Sequence, residues 1–323
     1  MRELLIMRHG KAESGVASDD LHRPLKDRGK RGAQRLGVWL ARKGLVPDYI
    51  VASHAVRARE TAAKCAKAME IDARRLYIDE RIYQAHTAEL LEVLATCPND
   101  AQRVLLVGHN PGLKQLLEHL ADADLRLDSL PTASLVRLRL ADDWSRLFAG
   151  QGELVDRVNS SELPKKFPFP SPHGAELRDR PAYYYTQSAI VPYRIEQGQL
   201  EILIIRSSQN KHWVVPKGIA DPGQTLQESA AKEAFEEAGV EGEVQQQAIG
   251  SYRYTKWGAT CTVSVYPLRV SRMLSDDEWE ESHRGRQWVS PRITATMLKQ
   301  QELAELVTLF SRQFEDRTSP WEG

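Results

Sequence analysis

Cysteine is scarce in this sequence, and long apolar runs are absent. Its 323 residues include three cysteines, Cys65, Cys97 and Cys261, without a Cys-x-x-Cys pair, a usage that fits neither a disulfide framework nor a zinc site. No apolar stretch approaches the roughly 20 residues of a membrane-spanning helix, and the one within Met1–Met7 is too short for a signal peptide. We therefore expect no membrane partner, a cytoplasmic location and cysteines that serve as small packing residues.

The chain also lacks an excess charge of either sign. Its 44 Lys and Arg residues balance 44 Asp and Glu residues, so no overall basic field would draw the protein to nucleic acid or anionic lipid. We expect no nucleic-acid partner, and any anionic ligand must be held by a local site. Apolar residues at 41% and charged residues at 27% are typical of globular proteins, and the length is that of two domains.

Prolines cluster near the middle of the chain. Five of the 16 fall between Pro164 and Pro181, in a stretch that can continue neither a helix nor a central strand. We predict a domain over 1–160, a linker over 161–180 and a second domain over 181–323. Short apolar runs alternate with helical patterns in the first, which indicates an α/β fold with a doubly wound, mostly parallel sheet. Longer alternating strands around one short helix indicate an α/β/α sandwich with a mixed sheet in the second, closed by a helix over about 291–314.

Charged side chains follow three apolar strands of the first domain. Arg8 and His9 end the first strand, Arg57 follows the second, and His109 follows the strand at 104–107. Ligands bind beyond the carboxyl ends of parallel strands. There, two arginines can clamp phosphoryl oxygens, one histidine can attack phosphorus and a second can stabilise the equatorial oxygens, without a metal. Each histidine taken alone is also compatible with an ordinary, partly buried residue.

These motifs resemble the histidine phosphatase superfamily, specifically the SixA-like phosphohistidine phosphatases. The resemblance covers about 1–160 and rests on Met7-Arg8-His9-Gly10-Lys11-Ala12, Arg23-Pro24-Leu25, Arg28-Gly29, Ser53 to Thr61 and Gly108-His109-Asn110-Pro111-Gly112. It implies that His9 is the nucleophile of a phosphohistidine intermediate. It further implies that Arg8, Arg57 and His109 hold the phosphoryl group and that this domain uses no cofactor.

The proton donor for the leaving group stays open. The candidates after the second strand are Glu80, His86 and Glu89, and the two glutamates are equally compatible with surface charges. A substrate with a good leaving group, such as phosphohistidine or a phosphoanhydride, needs less protonation.

The segment 218–240 has the pattern of a loop, a helix and a second loop. Pro222-Gly223 marks a turn, Thr225 with Glu228 forms a capping box, and Gly239 is placed to end the helix. At about 100° per residue, three glutamates share one helix face. The three are Glu233, Glu236 and Glu237, and the predicted apolar stripe on the opposite face is Ala231, Ala234, Phe235 and Ala238. A hard divalent cation is the usual way to stabilise crowded carboxylates, with a solvated acidic face as the alternative.

The spacing of glycines and glutamates resembles the Nudix box, and the similarity covers about 181–323. It implies that Mg²⁺ or Mn²⁺ is held by Glu233, Glu236 and Glu237 together with the backbone carbonyl of Gly218. It also assigns Glu236 and Glu237 to catalysis, in which the metal polarises a phosphoryl oxygen and activates water.

Two positions depart from that pattern. Gln224 stands where the family has a glutamate, and Lys232 where it has an arginine. Because the family's pair supports the loop, we expect Gln224 and Lys232 to keep a hydrogen bond and to lose the ion pair.

Basic residues around the box are candidates for substrate binding. They are Lys211, Lys217, Arg253 and Lys256. The surrounding runs resemble the Nudix branch of diphosphoinositol polyphosphate and dinucleoside polyphosphate hydrolases, which implies a small-molecule polyphosphate substrate. Scattered basic residues are, however, usually solvated.

The leading interpretation is a bifunctional phosphohydrolase with two independent sites. One alternative is a regulatory protein that binds phosphate ligands with low turnover. The other is a protein phosphohistidine phosphatase in signalling, with a phosphohistidine protein as partner and an unrelated Nudix activity. The sequence fixes neither the substrates nor the oligomeric state.

Overall fold

The computed structural model describes residues 1–15, 17–121, 129–141, 143–171, 174 and 176–315. The chain divides into two compact units, Met1–Pro181 and Ala182–Gly323. In the described part of the chain, no helix combines the length and the apolar character needed to cross a bilayer.

The first unit is built on a six-stranded sheet with the order β3-β2-β4-β1-β5-β6. Its strands are β1 (Arg2–Arg8), β2 (Tyr49–Ser53), β3 (Leu76–Asp79), β4 (Arg103–Gly108), β5 (Ser134–Leu140) and β6 (Glu153–Asn159), and its helices are α1 (Asp27–Arg42), α2 (Val56–Ala68), α3 (Thr87–Ala95) and α4 (Gly112–Leu120). Strands β3, β2, β4 and β1 run parallel, whereas β5 and β6 are antiparallel. The predicted doubly wound, mostly parallel sheet is confirmed.

This sheet is buried on both faces because its central strands are almost continuously apolar. Leu4 and Ile6 of β1 join one hydrophobic cluster, and Leu5 and Met7 join the other, as the two-residue period of a strand requires. Helices α3 and α4 supply the first cluster, and α1 and α2 supply the second. Packing on both faces of the sheet therefore fixes the positions of the strand ends relative to one another.

The described residues of the stretch predicted as a linker belong to the first unit. Within it, β7 (Phe167–Phe169) pairs antiparallel with β8 (Glu176–Arg178). Phe167 is buried, and the Arg178 guanidinium covers the Phe169 ring at 3.3 Å. Residues 172, 173 and 175 of this stretch lie outside the described residues, and the predicted domain boundaries stay predictions.

The second unit has a mixed sheet between helices, as predicted. Its strands are β9 (Thr186–Glu196), β10 (Gln199–Arg206), β11 (Trp213–Val214), β12 (Lys217–Ile219), β13 (Val240–Val244), β14 (Gly250–Lys256), β15 (Ala259–Met273) and β16 (Arg286–Val289), and its helices are α5 (Leu226–Ala238), α6 (Pro291–Met297) and α7 (Gln301–Glu315). The β9–β15 pair is parallel and the other pairs are antiparallel. Helix α5 covers one face of the sheet and α7 the other.

Helix α5 begins and ends as predicted but buries a different stripe. Thr225 and Glu228 form the capping box, and Gly239 ends the helix in the left-handed region at φ 61°. The buried stripe is Ala230, Ala234 and Ala238, whereas Phe235 is 45% exposed. The prediction that Phe235 packs on the sheet was wrong because a four-residue spacing of alanines gives the closest approach to the strands.

The predicted final helix is two helices. The chain leaves the helical conformation at Leu298, which has extended dihedral angles and forms a bridge to Trp213. Leu298 is buried in the same cluster as Val307 and Phe310. Burial of this one side chain explains the break that periodicity alone did not reveal.

Candidate active sites

The predicted phosphate-binding residues of the first unit converge at the carboxyl edge of its sheet. Strands β1, β4 and β2 are parallel neighbours, so the segments that leave them meet at one edge. The rings of His9 and His109 lie 5.0 Å apart between centroids. Arg8 ends β1, and Arg57 is buried in the first turn of α2. The structure thus brings together all four residues that the strand ends predicted.

Hydrogen bonding fixes the tautomer of His9. Its Nδ1 lies 2.7 Å from the carbonyl oxygen of Gly10. Because a carbonyl only accepts, Nδ1 must carry the proton, and Nε2 keeps a free lone pair. The neighbouring backbone is held as well, since the Gly10 N–H donates to Thr61 Oγ1 at 2.9 Å. The lone pair on Nε2 of His9 is therefore available to act as a nucleophile.

The surroundings keep both histidines neutral. Burial, with a smaller contribution from the neighbouring Arg57 and Arg8, lowers the pKa of His9 to about 4, although the hydrogen bond to the Gly10 carbonyl acts in the opposite direction. Burial and the neighbouring His9 lower the pKa of His109 to about 3. His109 Nε2 lies 2.8 Å from Ser53 Oγ. Two neutral imidazoles beside buried guanidinium groups leave a net positive site that favours a phosphoryl anion.

Asp20 is a member of this site that the sequence did not reveal. It lies in a 3₁₀ helix, Ala17–His22, and its carboxylate accepts hydrogen bonds from Arg57 Nη2 at 2.8 Å, Tyr83 Oη at 2.8 Å and Arg23 Nη1 at 2.6 Å. Burial opposes its ionisation, but the bonds from Tyr83 and Arg57 outweigh that effect and lower the pKa of Asp20 to about 2. Asp20 therefore stays ionised and holds the Arg57 guanidinium in place.

The loop that carries His9 rests directly on α1. A Cβ atom on Gly10 would lie 2.7 Å from the carbonyl oxygen of Gly29, and one on Gly29 would overlap the Lys11 carbonyl. Only glycine permits this approach of two backbones. Elsewhere at this edge, Arg8 Nη1 donates to the Leu130 carbonyl at 2.8 Å.

Of the three candidates for the proton donor, Glu89 is engaged in local structure. Its carboxylate accepts the backbone N–H of His86 at 2.7 Å, at the start of α3.

In the second unit, the three glutamates of α5 have different surroundings. The Glu233 carboxylate lies against Gly218 so closely that any Cβ at position 218 would overlap it. Burial, with Glu237 and Glu236 nearby, raises the pKa of Glu233 to about 7. Glu237 accepts the Lys217 backbone N–H at 2.9 Å, and Glu236 is about half exposed.

A buried arginine, which the sequence did not point to, holds Glu237. Arg284 Nη1 lies 2.6 Å from Glu237 and 2.7 Å from Glu281, and Arg284 Nε donates to the Arg206 carbonyl at 2.8 Å. Its side chain is 5% exposed. Arg284 thus positions one of the predicted metal ligands.

The donor set fits a hard cation in its chemistry. The Glu233 carboxyl is largely buried, and its ionisation is opposed by Glu237 and Glu236. Such crowded carboxylate oxygens match the ligands that Mg²⁺ or Mn²⁺ prefers. Within the described ranges, however, no three His, Cys, Asp or Glu side chains stand close enough together to hold a metal. Glu233, Glu236, Glu237 and Gly218 therefore remain a proposed ligand set.

Lys232 pairs with a different residue from the one expected. Its Nζ lies 2.8 Å from Asp221 Oδ2, and Asp221 is buried. The ion pair that we expected to be lost is present, because Asp221 supplies the carboxylate that Gln224 lacks. The loop before α5 is thus supported by a charged pair.

Two of the four predicted substrate-binding residues line the same cavity. Lys217 Nζ donates to Gln187 Oε1 at 2.7 Å and to Tyr254 Oη at 3.1 Å. It also lines a cavity of about 300 Å³ with Lys256, Glu237 and Arg284. Arg253 and Lys211 are exposed and are not among the residues that line that cavity.

A second cavity, of about 310 Å³, adjoins the first and shares Lys217 with it. Its lining includes the aromatic residues Trp213, Tyr252 and Tyr254. A charged cavity and an aromatic cavity therefore meet beside α5.

Comparison with known proteins identifies both units. Residues 4–83 match the model of the histidine phosphatase superfamily (branch 1), and residues 185–310 match the NUDIX domain. A solved SixA structure from Nakamurella multipartitia is 30% identical, with a TM-score of 0.42, over 49% of this chain and 95% of its own. Diphosphoinositol polyphosphate phosphohydrolase 3-beta of Bos taurus is 31% identical over 33% of this chain and 65% of its own length. Nudix hydrolase 21, chloroplastic, of Arabidopsis thaliana is 31% identical over 42% of this chain and 76% of its own length. The chain therefore belongs to the Nudix family through its second unit, and its first unit carries the histidine phosphatase domain, so that both indicate a hydrolase of phosphate esters or anhydrides.

Proposed function

We propose that the protein is a bifunctional phosphohydrolase: a metal-independent phosphatase in the first unit and a metal-dependent Nudix hydrolase of nucleoside polyphosphates in the second. The observation that carries the proposal is that each unit contains its own catalytic set. His9 with Arg8, Arg57 and His109 forms one, and the glutamates of α5 form the other.

The phosphatase step begins at Nε2 of His9. Its lone pair attacks phosphorus while the bond from phosphorus to the leaving oxygen, or to nitrogen in a phosphohistidine, breaks. The leaving group departs with the bonding electrons and takes a proton from solvent water. Arg57 and Arg8 neutralise the charge on the equatorial oxygens, with His109 on the same side. Water then attacks the phosphohistidine, which frees His9 and releases phosphate.

In the second unit, a bound Mg²⁺ or Mn²⁺ would polarise a phosphoryl oxygen and lower the pKa of a water molecule. Glu233, Glu236, Glu237 and the carbonyl of Gly218 in β12 would hold the ion, and Arg284 orients Glu237. Lys217 and Lys256 offer positive charge to the phosphates of the substrate.

The aromatic cavity favours a nucleoside over an inositol substrate. Trp213 and Tyr254, which are only partly buried, offer flat apolar surface on which a base can stack, whereas a polyanionic inositol ring would gain little from it. The relation to a bovine diphosphoinositol polyphosphate phosphohydrolase keeps the inositol class as the competing substrate.

Phosphorus NMR on the full chain tests both activities. The panel comprises diadenosine polyphosphates, diphosphoinositol polyphosphates, nucleoside triphosphates and a phosphohistidine peptide, each with and without Mg²⁺. We expect metal-dependent cleavage of a diadenosine polyphosphate that Glu233→Gln abolishes, and metal-independent phosphate release that His9→Ala abolishes. Loss of both activities in either variant would contradict independent sites, and survival of every compound would leave the regulatory alternative.

A second variant tests the choice of substrate. Trp213→Leu keeps an apolar side chain but removes the stacking surface, so kcat/KM for a diadenosine polyphosphate should fall about tenfold. An equal fall with a diphosphoinositol polyphosphate would argue that Trp213 only supports the fold.

A further inference from the structure

A cavity of about 400 Å³ in the first unit has no role in either proposed reaction. It lies between the carboxyl-terminal half of α1 and the stretch that includes β7 and β8. Apolar side chains form most of its wall: Val38, Trp39, Leu163, Phe167, Pro168 and Leu177. No residue of the proposed catalytic sets is among those that line it.

Four cations line the same cavity: Arg35, Arg42, Lys43 and Lys166. Among the described residues, none of the four has an ion-pair partner, and the lining contains no carboxylate. By contrast, Arg31, one turn before Arg35, pairs with Asp27 at 2.8 Å. The cavity therefore combines an apolar wall with uncompensated positive charge.

The Arg35 side chain is poorly compensated within the described part of the protein. Its Nε atom is buried and has no hydrogen-bond partner in the described part of the chain, which is a costly state for a charged group. The carboxyl-terminal dipole of α1 accounts for cations at Arg42 and Lys43, but it does not reach Arg35 or Lys166.

We propose that this cavity binds a nucleotide-class anion, with its flat ring against Trp39 and its phosphate on Arg35 and Lys166. The volume lies within the roughly 300–1,000 Å³ of small-molecule sites, which pair apolar walls with a few placed polar groups. An indole face stacks on a heterocyclic ring, and a guanidinium binds phosphate oxygens through its fork of donors. Inorganic phosphate would leave the apolar wall unused.

Calorimetric titration of the full chain with AMP, in the absence of divalent cations, tests the proposal. The variants are Arg35→Gln with Lys166→Gln, and Trp39→Leu. Arg146→Gln is the matched control, because Arg146 is an exposed cation of the same unit that does not line the cavity. We expect AMP affinity to fall at least tenfold in both cavity variants and to stay unchanged in the control. Any AMP that binds at a catalytic site contributes equally to all four proteins.

Three results would overturn the proposal. The first is equal AMP affinity in the double variant and the control. The second is inorganic phosphate that binds as tightly as AMP, which would indicate a simple anion site. The third is a result with vesicles: the wild type binds phosphatidylglycerol vesicles, and the double variant loses this binding but still binds AMP. That result would indicate a lipid-binding surface. If Trp39→Leu lowers the melting temperature, the double variant alone decides, since it changes only charged groups at the edge of the cavity.

Discussion

The Asp20 carboxylate lies 2.8 Å from Nη2 of Arg57, and its backbone carbonyl accepts from Nη1 of the same guanidinium at 2.5 Å. Arg57 is one of the two arginines that would hold a phosphoryl group. A carboxylate of this chain thus occupies donors that an incoming phosphate needs. Substrate and Asp20 therefore compete for Arg57.

Replacing Asp20 with asparagine tests this competition. Asp20→Asn removes the negative charge and keeps the side-chain volume, so inorganic phosphate should inhibit the phosphatase at about three- to tenfold lower concentration. The measurement is the inhibition constant of phosphate. Asp19→Asn is the matched control, because Asp19 is exposed and pairs with His22. Unchanged or weaker inhibition in Asp20→Asn would show that Asp20 only positions Arg57.

The buried histidines predict a pH dependence of stability. Their pKa values fall from an unfolded value of 6.5 to about 4 for His9 and about 3 for His109. Between these limits the unfolded chain binds more protons than the folded chain, so the free energy of unfolding decreases as pH falls below 6.5. The stability is fully present above that pH. Each histidine contributes up to about 3 kcal/mol by pH 4.

Urea denaturation between pH 7.5 and 4.5 measures this loss. His9→Gln should flatten the dependence, whereas His22→Gln should leave it unchanged because that imidazole is 70% exposed. Asp20, with a pKa of about 2, acts at lower pH. Glu233 of the second unit, whose pKa is raised to about 7, acts in the same pH range with the opposite sign, but it is present in all three proteins and cancels when their slopes are compared. A slope that is identical in wild type and His9→Gln would contradict the neutral, buried state of His9.

Removal of Arg284 should destabilise the second unit. Arg284→Met leaves Glu237 and Glu281 without their shared cation, and breaking such a buried pair costs about 3 kcal/mol. Urea denaturation in the presence of EDTA measures the change. Arg272→Met is the control, since Arg272 is 57% exposed and its pairs lie at the surface. We expect less than about 0.5 kcal/mol there, and a similar loss in both variants would contradict the positioning role of Arg284.

The Lys232–Asp221 pair predicts which residue supports the loop before α5. A double-mutant cycle of Lys232→Met and Asp221→Asn should give a coupling free energy of about 1 kcal/mol. The corresponding cycle of Lys232→Met with Gln224→Ala should give a value near zero. A coupling free energy between Lys232 and Gln224 instead would support the pairing that the sequence suggested.

Sequence patterns predicted the chemistry that lies at the ends of neighbouring parallel strands or along one helix. His9, Arg57 and His109 were found because parallel strands end at the same edge of the sheet. Asp20 and Arg284 were missed because each reaches its partner from a short 3₁₀ helix far away in the chain: Asp20 is 37 residues from Arg57, and Arg284 is 47 residues from Glu237. No spacing rule connects such positions.

The misplaced details have a similar cause. Phe235 and Leu298 are both apolar, and periodicity treats them alike. Tertiary packing leaves the first exposed and breaks a helix to bury the second. The Lys232 pair was assigned to Gln224 from the family pattern, although Asp221 stands only three residues earlier in the same loop.

The contact between Gly10 and Gly29 has a consequence for the precision of the phosphatase site. Two main chains in contact have no side-chain torsions between them, so rotamer exchange cannot move the loop that carries His9. Even alanine at either position would push the loop away from α1. Catalytic groups must be held within about 0.5 Å of their working positions. Here the van der Waals contact between two main chains sets the position of the loop. We therefore expect neither position to accept a residue other than glycine, whatever substrate the surrounding loops accept.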